Sequence, residues 1–285
     1  MKNMKKPKID QSCIDIYKDI VKSKRKKEEK DILKSLEGCV ETRYTEYEYN
    51  SCSGDLYNLS QNNSLLEDEW KSELLKSCYK SNPKTLQFVK DSIESEQIDG
   101  FLTVCPYCGI GDPKTYDHYL PKSKFPELSV HAFNLFPCCG TCNQTKSSNW
   151  KNEEHRTFIN LYSDKIPESQ YLFVKLIEDY DSKTIAANFF LQKPDEVDDN
   201  LWKIIESHYL KLGLLKKYKN RSDIKITSLI NSCKAHIETG GSNIPLYIDK
   251  LLQHDKDIHG YNYWVVILYK TLSESEFLLE LLKDI

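Results

Sequence analysis

Residues 105–146 read CPYCGIGDPKTYDHYLPKSKFPELSVHAFNLFPCCGTCNQTK, and the spacing of cysteines in this stretch decides the fold. Two Cys-x-x-Cys pairs, Cys105/Cys108 and Cys139/Cys142, bracket the dipeptide Asp117-His118, and Asn143 directly follows the last cysteine. A structural zinc needs four soft ligands in a tetrahedron, and each Cys-x-x-Cys unit supplies two thiolates from one tight turn. Gly109, beside Cys108, can take the positive φ that such a turn requires. The pairs lie further apart than in a compact zinc ribbon, so an insertion separates them. Cys138 competes with Cys139 as a ligand, and the two-residue gap favours Cys139. The expected site is therefore Cys105, Cys108, Cys139 and Cys142 around Zn2+. An ion there substitutes for the large apolar core that a segment rich in Pro, Gly and Cys does not build.

Working outward, the segment from about 100 to 160 differs in character from both flanks. Residues 1–99 are predicted to form an N-terminal helical region, 100–160 the metal-held unit, and 161–285 a mostly helical region with a short hairpin. The expected class is α+β, mainly helical. Lys22–Lys30 (KSKRKKEEK) reads as a solvated helix face, and 50–63 as a polar loop. Leu65, Leu66, Trp70, Leu74, Leu75 and Cys78 share a helical period and should face a core. A further helix is predicted over 84–96, ending near Gly100. Residues 171–191 read as two strands around the turn Asp181-Ser182-Lys183. Leu201–Leu215 and Ile224–Ile237 carry apolar faces. Pro245 suits a first helical position with Ser242 or Asn243 as cap. Ser273 and Glu276 fit a capping box for the C-terminal helix. The apolar run YWVVILY (263–269) is far short of a membrane span and reads as a buried helix.

The 285 residues carry a net charge of −3, so any contact with nucleic acid must come from a local patch. Ten cysteines could suggest disulfides, but five fall between 105 and 142 in metal-ligand spacing. No export signal precedes them: the basic N-terminus has no apolar stretch behind it. Metal binding in a cytoplasmic protein is the expectation, with no membrane association.

Asp117, His118 and Asn143 suit a different chemistry from the cysteines. Phosphodiester hydrolysis needs an activated water and a cation that neutralises charge on the phosphoryl and leaving oxygens. Mg2+ or Mn2+ takes oxygen ligands and needs only one or two protein groups. Asp117 offers a carboxylate and Asn143 an amide oxygen, while His118 is the natural general base. Neighbours on a strand face opposite ways, so Asp117 and His118 need a strand end to address one phosphate.

Asp117-His118, then Asn134-Leu135, then Cys139-x-x-Cys142-Asn143-x-x-Lys146 resembles the HNH endonuclease family, the zinc-bearing ββα-metal nucleases. The resemblance covers Cys105 to Trp150. It implies a zinc knuckle, two antiparallel strands ending near His118 and Asn134, and a helix starting around Cys142. It implies His118 as general base, Asp117 and Asn143 as ligands of the catalytic cation, and Asn134 as the residue that fixes the loop and orients the histidine. Lys122, Lys124 and Lys146 are expected to touch phosphates of a DNA substrate, RNA being the alternative. His131 is a further candidate metal or phosphate ligand. A nuclease embedded between helical flanks is similar to the HNH subunit of Septu-type antiviral defence systems, which works beside an ABC/SMC-like ATPase. That analogy implies a partner ATPase, since this chain has no Gly-rich phosphate loop of its own. The rival readings are a stand-alone restriction or mobile-element nuclease, and a non-catalytic zinc module that binds nucleic acid or protein.

Overall fold

The computed structural model describes residues 1–81 and 83–283. The chain divides into two compact units, Asn3–Lys165, and Ile166–Ile285 with Met1–Lys2. Residues 3–99 and 100–160 thus lie together in the first unit. The fold is α+β and mainly helical, with two antiparallel two-stranded sheets among the described residues. No helix among these residues is long and apolar enough to cross a membrane.

The first unit opens with α1 (Cys13–Ser23), α2 (Lys27–Ser35) and α3 (Glu37–Ser53). In α1 the Ser12 hydroxyl accepts the Asp15 N–H, and Ile16, Tyr17, Ile20 and Val21 form one buried stripe. The charged run 22–30 spans the joint between α1 and α2 and is mostly solvated. Lys24 is the exception: it is buried and donates to Ser77 Oγ at 2.6 Å. Helix α3 runs further than its polar composition predicts, through the start of the expected loop, until Gly54 at φ 80° ends it.

The next periodic stretch divides into α4 (Asn63–Glu67) and α5 (Glu69–Ser81). Asp68, at φ −89° and ψ 87°, breaks the run. The break shifts the phase: Leu65, Leu74, Leu75 and Cys78 are buried as expected, but Trp70 is 52% exposed. Helix α6 (Pro83–Ser95) follows.

The central segment then gives β1 (Thr115–His118), β2 (Leu135–Cys138) and α7 (Gly140–Lys146). The strands pair antiparallel, Asp117 opposite Phe136 and His118 opposite Leu135. His118 is therefore the last residue of β1, and Asn134 immediately precedes β2. Two anchors hold this hairpin. Buried Arg43 of α3 donates through Nε to buried Glu127 Oε1 at 2.9 Å, tying the 119–134 loop to the helices. Arg156 donates to both oxygens of Asp164, at 3.0 and 2.6 Å, and to the Tyr119 hydroxyl at 2.8 Å. Tyr119 in turn donates to the Phe158 carbonyl, which fastens the 156–164 stretch to the end of β1. Bidentate buried pairs of this kind give orientation as much as energy.

The second unit contains the expected hairpin, β3 (Leu172–Asp179) and β4 (Thr184–Leu191), in register from Leu172↔Leu191 to Asp179↔Thr184. Its turn is closed by Asp179 Oδ1, which accepts from the Asp181 and Ser182 amides, with Lys183 at φ 51°. Alternate residues Ile185, Ala187 and Phe189 of β4 are buried. Helices α8 (Asp199–Leu212), α9 (Leu214–Glu238), α10 (Ile244–His259), α11 (Trp264–Ser273) and α12 (Glu276–Leu281) complete it. Gly213 in the left-handed region separates α8 from α9. Asn243, of the two candidates, caps α10. Helix α12 is capped by Ser275 rather than Ser273, because α11 continues through Ser273 and Ser275 Oγ accepts the Leu278 N–H. The run 263–269 falls almost wholly within α11 and is largely buried there.

Candidate active site and metal centre

The four expected cysteines converge. The sulfurs of Cys105, Cys108, Cys139 and Cys142 lie within 4.8 Å of one another, and all four residues are buried. Local backbone geometry brings them there. Gly109 sits at φ 64° and its N–H donates to the Cys105 carbonyl at 2.7 Å, closing the first knuckle. Cys139 caps α7, so its sulfur faces the Cys142 N–H at 3.5 Å. A Cβ on Gly111 would come within 2.7 Å of the Cys139 Cβ, so that position has room only for glycine. Hydrogen bonds shared first with Cys105 pull the Cys108 thiol down to about 7. This is a buried four-cysteine group able to hold a metal ion. Cys138 stands outside it, with its sulfur 3.5 Å from Thr115 Oγ1, and burial pushes its thiol up to about 12.

Beside this group an open cleft of about 690 Å³ is lined by Asp117, His118 and Asn143 together. The hydrogen bonds fix which atoms each presents. His118 Nε2 lies 2.9 Å from the Ser129 carbonyl oxygen, which can only accept. The ring is therefore protonated at Nε2, and Nδ1 keeps its lone pair. Burial, followed by the charge of Lys122, holds the imidazole down to about 3, so it is neutral at pH 7. Asn143 donates from Nδ2 to Thr115 Oγ1 at 3.2 Å and to the Tyr116 carbonyl at 3.3 Å. That assignment leaves its Oδ1 as an acceptor.

Asp117 is the most heavily engaged of the three. Its Oδ2 accepts from the Tyr107 hydroxyl and from Lys146 Nζ, both at 3.0 Å, and its Oδ1 accepts from Lys146 at 3.1 Å. With about four acceptor positions on a carboxylate, one remains open on Oδ1. Strand-end placement solves the alternation problem, since β1 stops at His118 and both neighbours line one cleft.

Asn134 lies fully buried behind the cleft. Its Oδ1 accepts the Leu120 N–H at 2.7 Å, and its Nδ2 donates to the Leu120 and Leu128 carbonyls. It is a brace for the loop that carries Ser129.

Of the three lysines expected at phosphates, only Lys122 lines the cleft. Lys146 is a correction: it is fully buried, with Nζ on Asp117 and 2.8 Å from the His118 carbonyl, so it cannot reach a phosphate. Burial lowers its pKa, against the pull of Asp117. Lys124 is not among the lining residues. Breaking a buried pair leaves one charge uncompensated, at a cost of about 3–5 kcal/mol. Lys146→Met is expected to lower the unfolding free energy by about that amount in denaturant melts. A loss below about 1 kcal/mol would show that Asp117 does not depend on this partner.

The helical flanks add side chains that the motif does not predict. Tyr79 of α5 packs edge-on to His118 at 4.6 Å between ring centroids. Lys90 of α6 lies over Tyr79 and Tyr116, and Lys122 lies over Tyr79 at 4.8 Å. Burial, then Lys80 and Lys76, lower the pKa of Lys122, which marks this wall as a cluster of cations. Tyr107, between the first two cysteines, is the one missed residue with a local signal.

No family model matches the chain, and no solved structure matches it. A curated protein, protein ea31 of Escherichia phage lambda, is 26% identical over 186 residues, which is 60% of this chain. The chain spans 62% of that protein's length.

Proposed function

We propose that this chain is a metal-dependent HNH-type endonuclease that hydrolyses phosphodiester bonds of DNA. The observation that carries the reading is that His118, Asp117 and Asn143 line one cleft, each with acceptor capacity left: His118 Nδ1, a second lone pair on Asp117 Oδ1, and Asn143 Oδ1. Asp117 and Asn143 fit a hard cation such as Mg2+ or Mn2+. When bound, such an ion stabilises charge on the phosphoryl oxygens and on the departing alkoxide. His118 Nδ1 takes the proton of the attacking water, giving 5′-phosphate and 3′-hydroxyl ends. Ser129 fixes the tautomer that makes this possible, and Asn134 holds the loop that carries Ser129. Cys105, Cys108, Cys139 and Cys142 would hold Zn2+, and that bond would tie Cys142, and with it α7 and Asn143, to the first knuckle.

Cleavage of supercoiled plasmid, linear DNA and RNA with Mg2+ or Mn2+, alongside metal analysis, tests the reading. Protein that binds DNA and never cuts it with any divalent ion would favour a non-catalytic zinc module. Lys90→Ala and Lys122→Ala should each weaken binding to unrelated duplexes about equally and reduce the slope of log K against log salt by about 1. Fluorescence anisotropy over a salt titration reads both effects. Unchanged slopes in both variants would remove the cleft as the DNA surface.

Within this reading, an antiviral role beside an ABC/SMC-like ATPase is the favoured setting, tested by co-purification with and without that partner. A stand-alone restriction or mobile-element nuclease is the second reading; similarity to a phage-encoded protein bears on that setting alone.

A further inference from the structure

Away from the cleft, three polar side chains from distant parts of the first unit meet at one point. Cys13 is the first residue of α1, Glu48 projects from α3, and His131 immediately precedes the short turn Ala132–Asn134. We propose that Cys13, Glu48 and His131 form a second metal site, which takes a zinc-class divalent cation through thiolate, carboxylate and imidazole.

Geometry carries the proposal. The ligand atoms of the three residues all lie within 4.8 Å of one another. Tetrahedral zinc with bonds of about 2.0–2.3 Å sets its ligands about 3.3–3.8 Å apart, so little closure is needed. His131 Nε2 is already 3.1 Å from Glu48 Oε1. The His131 side chain is fully buried, and Nε2, the nitrogen facing Glu48, is the one placed to ligate. Cys13 and Glu48 both interact with the same imidazole, and their ligand atoms lie within reach of a single point. Convergence of three donors on one point suits an ion.

The surroundings fit. Tyr44 and Tyr47 pack edge-on to the imidazole, at 4.5 and 4.8 Å between centroids, and fix the ring. Glu48 remains partly exposed, which gives the ion an approach and leaves a fourth position for water. One thiolate and one carboxylate balance a divalent charge.

The site shares a loop with the cleft. Residues 128–134 carry His131 at one place, and at another the Ser129 carbonyl that His118 bonds, while Tyr47 donates to the Phe133 carbonyl at 2.8 Å. An ion at Cys13, Glu48 and His131 would stiffen that loop from behind. Its existence does not depend on the nuclease reading, and the test below reads metal alone.

The test is metal stoichiometry of the full chain, stripped and titrated with Zn2+, then with Co2+ as a spectroscopic substitute. Titrated in excess Mg2+, so that the cleft does not take Zn2+, wild type should bind two equivalents. Glu48→Gln, a conservative change at a partly exposed position that keeps the fold, should weaken the second equivalent at least about tenfold and spare the first. Cys13→Ser should lose the Co2+ absorption of a mixed sulfur, nitrogen and oxygen site and keep that of the four-thiolate site. One equivalent in wild type at saturating Zn2+, or two equivalents unaltered in both variants, overturns the proposal.

Discussion

His118→Ala is expected to lower Mg2+-dependent cleavage by about 10²–10⁴-fold, the usual contribution of a positioned general base. The argument rests on the division of labour within one ring. Nε2 is committed to the Ser129 carbonyl, so the only lone pair aimed at chemistry is that of Nδ1. The other lining groups are less suited to the role: Asp117 is paired with Lys146, Glu94 Oε1 accepts the Tyr116 hydroxyl, and the remaining nitrogen-bearing side chains are lysines and the amides Gln87 and Asn143. The imidazole bonds the Ser129 carbonyl rather than the four-cysteine group, so metal content should be unchanged in the variant. Truncation also opens a ring-sized gap against Tyr79, and added imidazole should restore part of the rate there. Full activity of His118→Ala in a plasmid-nicking assay, with the wild-type zinc content, would overturn the assignment.

The central segment was legible because its residues carry their constraints locally. Cys-x-x-Cys spacing, Gly109 and the Asn-after-Cys position each specify a turn or a helix start within a few residues, and the four sulfurs do meet. Cys139 over Cys138 followed from the same spacing. Legibility failed where long-range packing decides. Lys146 reads as a phosphate contact because lysine is usually solvated, and only the approach of Asp117 and the His118 carbonyl buries it. Trp70 lies in phase with a core stripe until Asp68 resets the helix. Tyr79, Gln87 and Lys90 reach the cleft from α5 and α6, and no spacing within the motif announces residues supplied by another part of the chain. Of the second cluster, only His131 was singled out from sequence, because Cys13 and Glu48 come from different helices.

Loss of a metal ion bound by the four-cysteine group should have the largest effect on the fold. In Cys142→Ser, or after strong chelation, cleavage should disappear, and protease cuts should appear between about 105 and 150. Structural zinc contributes an apparent free energy of about 10–16 kcal/mol in small domains. That is comparable with the whole stability of a typical protein, about 5–15 kcal/mol. The reason it matters here is local. Residues 105–114 form no regular secondary structure, and the knuckles are closed by only a few backbone hydrogen bonds. Without an ion, four buried sulfurs within 4.8 Å of one another would have no shared partner to hold the two knuckles together. Asn143 follows Cys142 on the same turn of α7, so loosening the knuckle also withdraws an oxygen from the cleft. Cys138→Ser supplies the control: its sulfur lies outside the cluster, so metal content and cleavage should survive, at a stability cost of about 1–2 kcal/mol for a buried hydroxyl. Chelated protein that melts at the wild-type Tm and resists protease across 105–150 would show that packing, not an ion, holds β1, β2 and α7 together.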